Sequence, residues 1–402
     1  MKKFFRVLSA VFLLLSLAAA FASPARSTQE DAALTPDQAV KMICLNVGKA
    51  DCILIMAEGK TYLIDTGYEQ TSGLLMTALE QLGISRLDGV FITHNHKDHV
   101  GGLDRLTSSK VEIDAFYASA YCLDGTGAGH PAVAAAAKRG QSVTFLRAGD
   151  SVSVTDDVSF SVIGPLSLDT DNENNNSLVM ALLTPQGNIL LTGDMKTEEE
   201  YSILKAGGFP ECAVLKVPFH GDDSATSEAL LKEVKPRLGV ISTSTLEEKD
   251  TPALDTLRRL AYAGCEVHVT QDVSDAICVS LLNGKPSAGE ITWNLPDKTN
   301  ALSVLIDLSK DMLIIQNTSS DPVSLDGMAL FSTRGEDLFL LPSGYTVEAG
   351  KSLSVVSSSG SVSGDITLQS NKRIWHKSKF DEALLYDAYG RMIACTDNGM
   401  PE

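Results

Sequence analysis

Within ten residues, Thr93-His94-Asn95-His96-Lys97-Asp98-His99-Val100-Gly101-Gly102, the chain sets three imidazoles and a carboxylate directly after the apolar run Val90–Thr93. A strand end followed by a tight loop and a helix start can splay such side chains into one cleft. Imidazole with carboxylate suits Zn²⁺, Mn²⁺ or Fe. Clustered His and Asp of this kind mark metal sites, whereas a merely solvated loop would leave four donors without a role. Gly101 and Gly102 are expected to let the backbone turn sharply beneath them. The chain must therefore fold so that a buried strand ends at an accessible cleft.

Around this loop, strand and helix signals alternate. Short β runs cover Met42–Val47, Cys52–Met56 and Tyr62–Ile64, and Leu74, Leu75, Ala78, Leu79 and Leu82 repeat at helical spacing. His130–Arg139 reads as an alanine-rich helix, Lys196–Lys205, Ser227–Val234 and Pro252–Ala263 as further helices. Strands are expected at Val158–Ile163, Leu178–Leu183, Asn188–Leu191, Ala213–Val217 and Leu238–Ser242, with a closing hairpin of Glu266–Thr270 and Ala276–Leu281. This gives an α/β region over residues 40–284. Residues 285–300, rich in Pro, Gly, Lys and polar side chains, read as a linker. From 301 to 402 the helical pattern stops and short strands alternate with turns, the signature of a small β-sandwich.

The length of 402 residues, 44% of them hydrophobic, allows two such domains. Lys2, Lys3 and Arg6 precede the apolar run Val7–Ala20, which is short for a bilayer span, and Ala20-Phe21-Ala22 has the form of a cleavage site. Residues 1–22 are expected to be a secretory signal peptide and 23–39 a flexible lead-in. The product is then secreted and keeps no stable membrane span; an uncleaved N-terminal anchor is the alternative. Losing those three basic residues takes the formal charge from −18 to −21. An acidic surface repels a nucleic-acid backbone, although metal ions supply positive charge locally. The seven cysteines form no CxxC pair; Cys44, Cys52, Cys212 and Cys278 lie in apolar strand-like runs and read as buried free thiols, with a Cys265–Cys278 bridge across the hairpin as the alternative.

His94-x-His96-x-Asp98-His99 after a strand, with Leu63-Ile-Asp-Thr-Gly67 upstream, resembles the metallo-β-lactamase superfamily. Leu45-Asn-Val-Gly-Lys-Ala-Asp51, Asn174-x-x-Ser177-Leu-Val179, Leu191-Thr-Gly-Asp194 and Leu215-Lys-Val-Pro-Phe-His-Gly221 are similar, in order, to the hydrolase domain of ComEC, the bacterial competence channel that imports DNA. The resemblance implies an αββα sandwich and two divalent metal ions, Zn²⁺ foremost and Mn²⁺ as the alternative. Carried over by position, His94 and His96 bind one ion, Asp98, His99 and His220 the other, and Asp194 bridges both. Asp98 and Asp194 are the implied catalytic carboxylates, and the ions lower the pKa of a bridging water so that hydroxide attacks the substrate. The superfamily's further histidine for the first ion has no counterpart, since Asn174 and Ser177 stand there, so that site is ligand-poor. Two departures are Lys49-Ala50 in the opening motif, where the family has Gln-Gly, and Phe219 before His220, where the family has a second histidine. Asp65 is expected to orient the histidine loop, His130 to start a helix at the surface, and His268 to pack or make an edge hydrogen bond.

Met312–Asn317, Val323–Leu330, Leu340-Leu-Pro342, Ala349-Gly350 and Leu384–Gly390 resemble the lamin-tail domain, an immunoglobulin-like β-sandwich. Trp375 is expected in its packing, and the basic run Asn371–Lys379 reads as a solvated loop or as a contact to the cell surface or a polyanion. The resemblances together imply an exported phosphodiesterase or nuclease acting on a phosphodiester such as extracellular DNA or a nucleotide. A lactonase- or lactamase-type hydrolase of C–O or C–N bonds, and a non-catalytic surface-binding protein, are the alternatives.

Overall fold

The computed structural model describes residues 39–245, 249–335, 337–358, 362–370 and 372–400. The expected signal peptide lies outside them, as does all of the lead-in but its last residue. Among the described residues no helix is long and apolar enough to cross a membrane.

Two sheets stack face to face. One has eight strands in the order Lys285–Ile291, Ala276–Leu282, Val40–Leu45, Ile53–Ala57, Lys60–Ile64, Gly89–Ile92, Phe116–Ser119, Val143–Leu146. The other has seven, in the order Glu266–Val269, Leu238–Ile241, Val214–Lys216, Ile189–Leu191, Val179–Leu183, Ser159–Gly164, Ser151–Ser153. The two-residue period of each strand sorts its side chains between two cores. Met42, Cys44, Ile55 and Phe91 from the first sheet meet Phe160, Met180, Leu191 and Val240 from the second. Their strand neighbours Ile43, Leu54, Val90 and Ile92 face outward into a cluster with Leu75, Leu79, Leu106 and Ala136, from helices Ser72–Gln81, Leu103–Ser108 and Pro131–Lys138. On the far side Ala181, Leu190, Leu215 and Ile241 share a cluster with Ile203, Leu230 and Leu260, from helices Thr197–Ala206, Glu228–Val234 and Leu254–Tyr262. This is the αββα arrangement. Covering both faces explains why Gly89–Ile92 and Leu238–Ile241 are buried throughout and read as unbroken apolar runs.

Two local expectations are corrected, and one alternative falls away. Lys285–Ile291, read as linker, is an edge strand paired with Ala276–Leu282 from Leu282↔Lys285 to Ala276↔Ile291. The two residues between, Asn283 and Gly284, take φ of 49° and 69°, the left-handed turn that closes a two-residue hairpin. Glu266–Val269 and Ala276–Leu282, expected to pair, lie in different sheets: the first runs parallel to Leu238–Ile241 and the second antiparallel to Val40–Leu45. Cys265 and Cys278 are accordingly free, as are the other five cysteines.

Beyond Leu302 the described structure is all β. Leu302–Asp307, Met312–Asn317, Ser352–Ser357 and Ile366–Leu368 form one sheet, and Asp337–Leu340, Ala329–Ser332, Glu382–Tyr386 and Met392–Asp397 another. They enclose their own apolar cluster around Leu313, Leu330, Leu385 and Trp375. Lys372 and Arg373 of the basic run pair with Asp337 and Asp311 within this region. It meets the αββα body where Gly390 lies against Gly73; a Cβ on Gly73 would come within 2.6 Å of the Gly390 nitrogen.

Candidate metal centre

The site forms where strands of both sheets end, the usual place for ligands in an α/β fold. Strand Gly89–Ile92 delivers Thr93 and His94, and its parallel neighbour Lys60–Ile64 delivers Asp65. Asp65 adopts φ 57° and turns its buried carboxylate onto the loop. It accepts the Thr93 N–H (2.8 Å), the Thr93 hydroxyl (2.7 Å) and His99 Nδ1–H (2.7 Å). This is the orienting contact expected of it. After His96 a short helix, Lys97–Val100, turns Asp98 and His99 inward. Gly101 and Gly102 have ordinary helical φ of −60° and −80°. Their requirement is closeness instead of a sharp turn, because added Cβ atoms would lie 2.2 Å from Glu69 N and 2.4 Å from Thr66 O.

Asp194 comes from the other sheet, beyond strand Ile189–Leu191, with its N–H donating to Ser177 Oγ (3.1 Å). At Gly193 the φ is 50° and a Cβ would meet Ser177 Cβ at 2.9 Å and Thr93 Cβ at 3.0 Å, so only glycine lets the two strand ends close. His220 follows strand Val214–Lys216 on a left-handed turn, Phe219 φ 47° and His220 φ 52°. Its Nδ1–H donates to the Ser242 carbonyl at 2.7 Å.

The six expected ligands converge. Asp194 Oδ2 lies 3.3 Å from His99 Nε2, 3.3 Å from His220 Nε2 and 3.9 Å from His94 Nε2. Asp98 Oδ2 lies 3.3 Å from His220 Nε2 and 3.7 Å from His99 Nε2. Four donors at tetrahedral angles, each about 2.1 Å from one ion, are about 3.4 Å apart. Asp98, His99, Asp194 and His220 thus have the spacing of a single-ion cage. Two features favour a cation there. His99 Nε2, His220 Nε2 and Asp194 Oδ1 are buried without a hydrogen-bond partner, which is costly unless something binds them. The acceptor-only partners of the two Nδ1 atoms also leave the Nε2 lone pairs facing the cage in the neutral rings. His94, His96 and Asp194 form a second group with ligand atoms within 4.8 Å of one another, in which His96 is exposed.

Burial drives the His94 pKa well down, and the neighbouring His99 charge adds to this. His220 is pushed up to about 9: burial opposes the rise, but Asp194, with Asp98, outweighs it. His130 joins neither group. It starts helix Pro131–Lys138 as expected, but it is buried and not at the surface. Its Nδ1 accepts the Ala132 N–H and its ring edge meets Phe145, so a capping role draws it inward. His268 makes an edge contact with Glu266 at 2.8 Å.

Sequence reasoning gave no role to Asp51, Lys216, Thr93 or Ser242. Asp51 and Lys216 form an ion pair of 2.8 Å with each side chain 1% exposed, and the Asp51 N–H donates to the Asp98 carbonyl. Asp51 ends the opening motif and Lys216 lies four residues before His220, but nothing local in sequence says that they meet. Of the two residues standing where a histidine is missing, Ser177 reaches His94 Nδ1 at 3.2 Å, while Asn174 Oδ1 is buried without a partner.

Among similar proteins, ComE operon protein 3 of Bacillus subtilis (strain 168) is 25% identical over 216 residues, 49% of this chain and 27% of the relative. Competence protein ComA of Neisseria gonorrhoeae is 24% identical over 251 residues, 62% of this chain and 33% of the relative. The chain thus spans a third or less of the length of these relatives. Of solved structures, Igni18, a metallo hydrolase from Ignicoccus hospitalis, aligns at 13% identity and a TM-score of 0.38, covering 63% of this chain and all of that one. Residues 45–245, half of the chain, match the model of the metallo-beta-lactamase superfamily, and with this loop, cage and fold the chain belongs to that superfamily.

Proposed function

We propose that the protein is an exported, metal-dependent hydrolase of phosphodiester bonds. The observation that carries the hydrolase reading is the cage: one buried carboxylate oxygen, Asp194 Oδ2, faces three imidazole nitrogens from both sheets at 3.3–3.9 Å. Asp98, His99 and His220 with Asp194 would hold one divalent ion, and His94 and His96 with Asp194 the other. Bound there, Zn²⁺ or Mn²⁺ supplies a water of lowered pKa and stabilises negative charge developing on the substrate.

The protein's own residues do the rest. Asp65 and the Ser242 carbonyl fix the ring orientations of His99 and His220 through Nδ1, so that neither must reorganise during reaction. Asp98 is the carboxylate with solvent access, its side chain 17% exposed against 2% for Asp194, so it is the one that can accept a hydrogen bond from an attacking water and orient it. The choice of a phosphodiester over a lactam or lactone rests on similarity to competence proteins over about half of the chain. Export rests on the basic start and apolar run of residues 1–22.

The test is metal content of the purified protein together with its rates on bis(p-nitrophenyl) phosphate and on nitrocefin. Two divalent ions per chain and turnover of the phosphodiester alone are expected. Turnover of nitrocefin alone would move the substrate to C–N bonds. A chain that takes up no divalent ion would remove the hydrolase reading.

A further inference from the structure

Two lysines converge on one aromatic ring at the rim of the cage. Lys196 Nζ lies 4.9 Å and Lys49 Nζ 5.8 Å from the centre of the Phe219 ring, both within cation–π reach. That ring is 6.5 Å from the ring of His220. All three residues are half-buried. Each stands a step or two from a residue that builds the centre: Lys49 before Asp51, Lys196 after Asp194, Phe219 beside His220. Their positions are fixed from the backbone. Phe219 sits on the left-handed turn with its N–H donating to the Gly193 carbonyl, and the Lys196 N–H donates to Asn175 Oδ1. Lys196 has no ion pair among the described residues.

Two ammonium groups drawn to one ring repel each other, and the chain as a whole carries a formal charge of −18. An ammonium group without an ion pair among the described residues, as on Lys196, is useful in so acidic a protein to an anionic part of the substrate that the ions do not reach, and Lys49 brings a second ammonium group to the same ring.

We infer that Lys49 and Lys196, buttressed by Phe219, form a subsite for a phosphate group of the substrate next to the one cleaved. The inference rests on the phosphodiesterase reading for the substrate's identity. It makes the enzyme prefer a substrate carrying a second phosphate, and Lys196, the nearer to the ring, the stronger contributor.

The experiment compares 5′-phosphorylated dithymidine with the same dinucleoside monophosphate lacking the terminal phosphate. Steady-state rates are measured on the metal-loaded full chain, and equilibrium binding is measured with EDTA present. The wild type should prefer the phosphorylated form by at least tenfold in kcat/KM, and should bind it more tightly without metal. Lys196→Met should bring that preference to within about twofold, Lys49→Met should reduce it less, and Lys196→Arg should keep it. If both dinucleotides are cleaved with a preference that neither methionine variant alters, the subsite is wrong while the phosphodiesterase reading stands. If the wild type cleaves neither, that reading fails, and the binding arm still decides whether the lysines hold phosphate. Equal binding of the two ligands in EDTA would then overturn the subsite as well.

Discussion

The two halves of the metal centre share Asp194 but are held differently. In the half made by Asp98, His99 and His220, each ring is anchored through Nδ1 by a group that can only accept, the Asp65 carboxylate for His99 and the Ser242 carbonyl for His220. Their Nε2 atoms are buried and unpartnered. In the other half, His94 Nδ1 meets the hydroxyls of Thr93 and Ser177, both at 3.2 Å. The Thr93 hydroxyl gives its hydrogen to Asp65 and can only accept from His94, whereas the Ser177 hydroxyl donates or accepts, so the two together hold the tautomer less firmly than a carboxylate or carbonyl alone. His94 Nε2 already faces His96 Nδ1 at 3.0 Å, and His96 is exposed. A ligand set is thus only as ready as the partners behind it: one half is organised in advance, and the other must rearrange to bind.

The strongest break of this comparison is at the shared residue. Asp194→Asn should release both ions and lower hydrolysis by about three orders of magnitude, with the circular dichroism spectrum unchanged because the cores do not depend on that side chain. Metal content measured beside the rate checks it; a variant that keeps both ions and full activity would refute the ligand assignment. In the wild type, a chelator titration should remove the His94–His96 ion first and leave one ion per chain over a range of concentrations. His96→Ala should then resemble the half-stripped enzyme in metal content. Simultaneous loss of both ions would mean that the halves are equally held.

A sharper test acts behind the ligands. Asp65→Asn places an amide nitrogen against either the Thr93 N–H or the His99 Nδ1–H, so one donor loses its acceptor. Affinity for the tighter ion should fall by about 10- to 100-fold, the usual cost of losing a partner of a metal-bound histidine. Ser177→Ala removes one of two hydroxyls beside His94. It should weaken only the other ion, by less than about tenfold. Competition with a chromogenic chelator measures both, and the reverse order of effects would sink the argument that acceptor-only partners organise the site.

The parts of this site legible in the sequence are those whose meaning is local. Asp98 and His99 belong to the clustered loop past a strand end, whereas Asp194 and His220 are placed by the resemblance of Leu191–Asp194 and Leu215–Gly221 to the family motifs. The individual contacts between segments were not legible. The Ser177–His94 contact and the Asp51–Lys216 pair bridge the two sheets, and the Ser242 carbonyl reaches His220 from the neighbouring strand end of the same sheet. The family motif put Ser177 at the site, but nothing in the local sequence announces these partners. Residues 285–300 differ for another reason. Asn283-Gly284 is a strong hairpin signal, and the polar composition after it suits an edge strand with one exposed face as well as a linker. His130 misled because a helix cap on the surface of a helix can still lie inside the protein. Cys265 and Cys278 are free, as the first reading of the cysteines has it, because the segments that carry them lie in different sheets.

The smallest effect concerns how the looser half is kept in place. Asp169 holds the segment that carries Ser177: its carboxylate accepts from Asn175 Nδ2 at 2.8 Å and from the N–H groups of Asp171 and Asn172. Asn175 Oδ1 in turn accepts the Lys196 N–H. The hydrogen bond from Asn175, with those from the backbone, lowers the Asp169 pKa. A carboxylate whose folded pKa lies below its unfolded value of about 3.9 contributes stability that is complete above that value and is lost as pH falls through the folded one. Because Asp169 is partly exposed, solvent screening keeps the contribution small, below about 1 kcal/mol. Asp169→Ala should therefore be slightly less stable than the wild type in urea unfolding at pH 6, and the gap should shrink as pH is lowered below about 4. Differencing the two proteins removes the titration of the cage residues they share, to the extent that Asp169 does not interact with them. A gap that stays constant from pH 6 to pH 3 would mean that the segment is held by its asparagines and not by the charge of Asp169.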